Sequence, residues 1–172
     1  NILDNKDISH IPYDIAKKLA IIVADYDGEL IMRMDDGTYS DKFKCDKDII
    51  FTALNSAPHT LEYVCDELKE DRDVVAAALK KDGTLIQYLS EDSKFRNDEE
   101  MAIIAVTNFS DSLQYFSDEI KNNYNVVDIA LNDYHVEADW IDYGGYGLQY
   151  ASETLKNKKE LVIKAIKSLA KE

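Results

Sequence analysis

Three histidines, two cysteines, eleven tyrosines and 34 acidic residues are the side chains able to do chemistry in this 172-residue chain. Nucleophilic catalysis needs a Ser or Cys within reach of a base, and His10, His59 and His135 fall in no nucleophile motif. His59 reads as a turn residue. Cys45 and Cys65 show neither CxxC nor Cys/His metal spacing, and are expected to be free thiols in a reducing compartment. Asp66 and Glu67 follow Cys65 and disfavour a thiolate there. Asp25-x-Asp27-Gly28-Glu29 and Asp35-Asp36-Gly37 resemble pieces of calcium loops, but neither meets the full spacing of acids, Gly and Glu, so both read as solvated turns. Gly144-Gly145-x-Gly147 lacks the strand and Lys of a phosphate loop. The expectation is no catalytic residue, no metal ligand and no cofactor.

Binding chemistry is more visible. Tyr63, Tyr88, Tyr115 and Tyr150 recur in one pattern, each preceded by Glu62, Gln87, Gln114 or Gln149. Stacked units would set them in parallel ladders, either as packing between neighbours or as a Tyr/Gln surface for a protein or peptide. A second candidate is the segment 132–147, which holds the only Trp, Trp140, with Tyr143 and Tyr146. Trp and Tyr are common interface anchors. The alternative is a loop whose Trp covers a repeat edge.

These residues are positioned by a repeat. Ile49-Ile50-x-x-Ala53-Leu54 recurs as Val74-Val75-x-x-Ala78-Leu79, Met101-Ala102-x-x-Ala105-Val106, Val126-Val127-x-x-Ala130-Leu131 and Leu161-Val162-x-x-Ala165-Ile166. The alanines are 25, 27, 25 and 35 residues apart, and the tyrosines 25, 27 and 35. The longer intervals fit insertions of 2 residues after Tyr88 and 10 before Leu148. Apolar residues at i, i+1, i+4 and i+5 cover about 140° of a helical wheel. The second motif, Leu61, Val64, Cys65 and Leu68, has the i, i+3, i+4, i+7 spacing of a helical stripe. The invariant Ala predicts close helix approach. Asp46, Asp71, Asp98 and Asn157 stand where N-caps belong, and Asn157 with Glu160 reads as a capping box.

The pattern predicts an all-α fold: a short α-solenoid of about four 25-residue helix-turn-helix repeats over 46–172, a degenerate unit over 1–45 and a final single helix, forming one cooperative domain. Tyr13 to Asp25, after Pro12, reads as a helix. Residues 29–40 read either as helix or as a hairpin across Asp36-Gly37, the helical register being favoured.

Gly147 to Val162, Gly-Leu-Gln-Tyr-Ala-Ser-Glu-x-Leu-Lys-Asn-x-Lys-Glu-Leu-Val, resembles domain-of-unknown-function family 4116, as do residues 46–131 more loosely. The resemblance implies tandem short helical repeats. It implies no activity and no catalytic residue.

Charge narrows the partners. A net charge of −14 repels phosphate backbones and anionic membranes, and the longest apolar run, Leu19 to Ala24, is too short to span a bilayer. The expected function is a non-catalytic, cytoplasmic scaffold for a protein or peptide, its oligomeric state open. Alternatives are a calcium-responsive or regulatory module and an enzyme with its site in 132–147. Leu3-Asp4-Asn5-Lys6-Asp7-Ile8 reads as a repeat junction, so the natural chain is expected to extend upstream, and an opening Asn1 in place of Met fits an excised or processed fragment.

Overall fold

The computed structural model describes residues 11–33, 39–132, 134–135, 141–142 and 144–170. The chain divides into two compact units, Asn1–Ala78 and Leu79–Glu172. Unit 1 contains α1 (Tyr13–Tyr26), α2 (Gly28–Arg33), α3 (Ser40–Lys44), α4 (Lys47–Ser56), the 3₁₀ helix η1 (Pro58–Tyr63) and α5 (Asp66–Lys69). Helix α6 (Arg72–Lys81) runs across the border. Unit 2 continues with 3₁₀ helices η2 (Gly83–Tyr88) and η3 (Lys94–Asn97), α7 (Glu99–Asn108), η4 (Ser110–Tyr115), α8 (Asp118–Lys121) and α9 (Tyr124–Ala130). It ends with β1 (Tyr134–His135), β2 (Ile141–Asp142), η5 (Gly144–Tyr150), α10 (Glu153–Lys156) and α11 (Lys159–Leu169). The fold is all-α, its only β structure among the described residues being the antiparallel pairing of β1 with β2 inside the 10-residue insertion.

The first motif forms the long helices, and short polar side chains start them. Asp46 accepts from the backbone N–H of Asp48 and Ile49, Asp71 from Asp73 and Val74, and Asp98 from Met101. Each satisfies N–H groups that an α-helix leaves unpaired in its first turn. The expected cap at Asn157 is corrected: Asn157 closes α10, its Nδ2 donating to the Glu153 carbonyl, and Lys158 precedes α11. Asn123 caps instead, at the start of α9, accepting from Asn125 and Val126.

The second motif is not one α-helix, so the helix-turn-helix unit is also corrected. Each copy is a six- or seven-residue 3₁₀ helix. After Tyr63, Tyr88 and Tyr115 comes one extended residue (Val64, Leu89, Phe116). A four-residue α-helix then follows in three copies: α5, α8 and α10. The serines explain the break. Ser117 and Ser152 accept from the N–H groups of Ile120 and Leu155, so in these two copies the position matching Cys65 of the second motif is an N-cap and not helix interior. Short hydroxyl side chains favour that position over a helix interior. The apolar positions stay buried across the break, Leu61 in η1, Val64 in the extended link and Leu68 in α5.

In unit 1, α1 packs on α4 and α2, while α2 packs on α4, η1 and α3. The helical reading of the N-terminal segment holds for 28–33 and 40–44; residues 34–38 lie outside the described residues. In unit 2, η4 lies between η2 and η5, α7 packs on α9, and α11 packs on η5. The alanine column is the core of this arrangement: Ala53, Ala78, Ala105 and Ala130 are wholly buried and Ala165 nearly so. The backbone of Gly83 sits so close to Ala105 that a Cβ there would overlap the Ala105 carbonyl, and Gly28 meets Ala53 in the same way.

Gly145 meets Ala165 likewise, and three residues beyond the alanine a polar side chain secures the Gly83 and Gly145 junctions. Asn108 Oδ1 accepts from Gly83 N–H at 2.9 Å while its Nδ2 donates to the Lys80 carbonyl at 3.2 Å. Ser168 Oγ accepts from Gly145 N–H at 3.1 Å.

Cys45 and Cys65 are not free thiols: they form a disulfide with Cα atoms 5.4 Å apart. The fold brings the end of α3 beside the start of α5, where Cys65 N–H donates to the Lys44 carbonyl at 3.1 Å.

Candidate functional site

In unit 2 the side-by-side packing of η2, η4 and η5 brings three Gln-Tyr pairs onto adjacent segments. Gln87 and Gln149 are exposed, while Tyr88, Tyr115 and Tyr150 are half-buried. Gln114 is half-buried, and its Nε2 donates to the Asp111 carbonyl at 3.0 Å. Burial pushes the Tyr150 hydroxyl pKa up, and the charges of nearby Asp111 and Tyr115 push the same way. The rings combine a partly buried body with groups able to bond a ligand, the amphipathic character that makes Tyr an effective contact residue.

Arg96 organises this region from the backbone side. Its guanidinium donates to the carbonyls of Tyr115 at 2.6 Å, Leu89 at 2.8 Å and Gln87 at 3.3 Å, and its Nε to that of Ser90 at 2.9 Å. It thus ties the end of η2 to the end of η4. The role of Arg96 was not legible as a motif; the signal was an Arg in a column that otherwise holds Lys44, Lys69, Lys121 and Lys156.

In unit 1, Tyr63 is 38% exposed, and the adjacent Glu62 is exposed. Tyr146 lies on η5 and is 50% exposed. Trp140 and Tyr143 lie outside the described residues. Among the described residues no group of three or more His, Cys, Asp or Glu side chains is placed to hold a metal ion. Among them, too, no helix is long and apolar enough to cross a membrane.

An apolar surface was also missed. On α1, Ala16, Ala20 and Ala24 are buried, while Ile15, Leu19, Ile22 and Tyr26 form an exposed stripe at helical spacing. The signal was present: the helix is apolar on more than one face.

The model of the domain of unknown function DUF4116 matches residues 46–96, 71–121 and 98–135, together just over half of the chain. The chain belongs to the DUF4116 family. The three windows begin at the capping residues Asp46, Asp71 and Asp98, so the DUF4116 period coincides with the period of the long helices. The resemblance over Gly147–Val162 lies beyond the matched windows. No curated protein and no solved structure matches the chain.

Proposed function

We propose that this DUF4116 chain is a non-catalytic α-solenoid scaffold that binds a protein or peptide, with the Gln-Tyr segments of unit 2 as the contact face. The observation that carries the reading is the adjacency of η2, η4 and η5, each bearing the same Gln-Tyr pair. A row of repeated contacts suits an extended ligand, because successive repeats meet successive parts of it. Tyr offers large contact area at low entropic cost, and Gln offers a donor and an acceptor for a peptide backbone. Tyr146 extends the face along η5.

The test is a comparison of capture by wild type and by the variant Gln87→Ala/Tyr115→Ala/Gln149→Ala, with quantitative identification of bound chains. Selective loss of one set of partners, at a melting temperature within a few degrees of wild type, supports the face. Unchanged capture by the triple variant removes it.

A further inference from the structure

We propose that the Cys45–Cys65 disulfide is a removable redox clip, set into a repeat junction that the chain elsewhere closes with an Asn–Ser hydrogen bond. Cys45 directly precedes the helix cap Asp46, as Asn97 precedes Asp98 and Asn122 precedes Asn123. Cys65 directly precedes α5, as Ser117 precedes α8 and Ser152 precedes α10. Ser117 Oγ donates to Asn97 Oδ1, and Ser152 Oγ donates to Asn122 Oδ1 at 2.6 Å. The separations agree: 20 residues for the disulfide, 20 for Asn97 and Ser117, and 30 for Asn122 and Ser152, which straddle the 10-residue insertion.

The backbone repeats the same geometry. Cys65 N–H donates to Lys44 at 3.1 Å, Ser117 N–H to Arg96 at 2.9 Å and Ser152 N–H to Lys121 at 2.9 Å. The junction therefore holds without a covalent bond at two places in unit 2. In unit 1, the Cys65–Lys44 backbone bond and the ion pairs of Lys47 with Asp71 and Asp73 bridge neighbouring segments independently of sulfur. Opening the disulfide leaves those bonds in place.

The bond is also within reach of a reductant, since Cys45 is exposed and Cys65 half-buried. A dithiol reductant supplies the electrons. Its first thiolate attacks Cys45 Sγ, the S–S bond breaks, and Cys65 leaves as a thiolate that takes a proton from water. The reductant's second thiolate then attacks the mixed disulfide and releases Cys45, which is protonated in turn. Two electrons pass to the protein, the two cysteines end as thiols, and the dithiol ends as its own disulfide. A low-molecular-weight disulfide reverses the process. Lys44 and Asp46 flank Cys45 while Asp66 and Glu67 follow Cys65, so acids outnumber the one base beside the pair, and negative neighbours disfavour thiolates. The reduced pair is thus suited to opening and closing a clip and poorly suited to attacking a substrate.

The experiment equilibrates the folded wild-type chain with a dithiol or with oxidised glutathione, counts thiols by maleimide mass shift, and follows helicity and melting by circular dichroism. Expected are two maleimide additions after dithiol treatment, none after oxidised glutathione, and unchanged helicity, with the melting temperature lower by about 5–10 °C in the reduced state. The variant Cys45→Asn/Cys65→Ser rebuilds the hydrogen-bonded junction, and should fold with wild-type helicity and a melting temperature indifferent to dithiol. Free thiols persisting in oxidised glutathione, loss of helicity on reduction of wild type, or a double variant without helical structure would each overturn the proposal.

Discussion

Asp46 shows how one side chain serves two ends at once. Its carboxylate caps α4, accepts the Tyr13 hydroxyl at 2.9 Å and pairs with Lys17 Nζ at 2.9 Å. Burial opposes its ionisation, but the bonds from Lys17, Tyr13 and the Ile49 N–H outweigh it and hold its pKa below the usual carboxylate value. Tyr13 moves the other way: burial, then the bond to Asp46, raises its hydroxyl to about 12. The sign of each contribution follows from linkage. A depressed Asp46 stabilises the fold above the ordinary carboxylate pKa, and that stability is lost as pH falls through the depressed folded value. A raised Tyr13 stabilises up to its ordinary value of 10.0, and that part is lost as pH climbs towards about 12. Replacing Asp46 with Asn keeps a capping oxygen and removes the charge. Asp46→Asn should therefore lower stability at neutral pH by about 1 kcal/mol. The gap from wild type should close on acidification below the ordinary carboxylate range, as paired melting curves across pH would show. A gap independent of pH would mean that the charge is not what Asp46 contributes.

At the scale of elements, junctions are held where a glycine (Gly83 and Gly145 in 3₁₀ segments, Gly28 in α2) meets the alanine of the next long helix. The Ala105 and Gly83 junction makes this testable. Ala105→Leu inserts three carbons where the Gly83 backbone already touches, and should cost about 1–3 kcal/mol through overpacking. Asn108→Ala removes the acceptor for Gly83 N–H and the donor to Lys80 without adding bulk, and should cost about 1–3 kcal/mol through unsatisfied backbone groups. Chemical denaturation of each variant reads these costs, and wild-type midpoints would refute the junction. This scale also explains what was legible in sequence. The alanine column, the Asp caps and the period could be read because each is a local pattern that recurs. The 3₁₀ character of the second motif was hidden, because Leu61, Val64 and Leu68 keep the spacing of one α-helical stripe although they fall in η1, the extended link and α5. Asn157 misled because it sits beside a helix start while bonding backwards to Glu153. The disulfide was missed because Cys65 and Cys45 belong to two different columns, with Ser117 and Ser152 in one and Asn97 and Asn122 in the other, and only the fold brings those columns together. The candidate site was legible as a row of Gln-Tyr pairs; Arg96, which ties two of its segments together, was not.

At the scale of the whole molecule, charge sets the terms on which these local devices operate. The chain carries a net charge of −14, and a folded state crowds that charge more than an unfolded one does. Local pairs run the opposite way: Lys17 with Asp46 and Asp48, Lys47 with Asp71 and Asp73, and Lys164 with Asp128 each bring a cation to acidic groups. Salt weakens both effects, but unequally. At about 0.5 M ionic strength the Debye length falls to roughly 4 Å, so repulsion between distant carboxylates is almost entirely screened. The lysine pairs span 2.7–3.1 Å, shorter than that screening length, so they lose less. The net effect should favour the folded state. The melting temperature should rise by a few degrees between about 0.02 M and 0.5 M sodium chloride. Asp46→Asn should keep most of that rise, because it removes one charge of a large excess. A melting temperature that falls with salt would mean that the lysine pairs, and not the excess of acids, dominate the electrostatics of this fold.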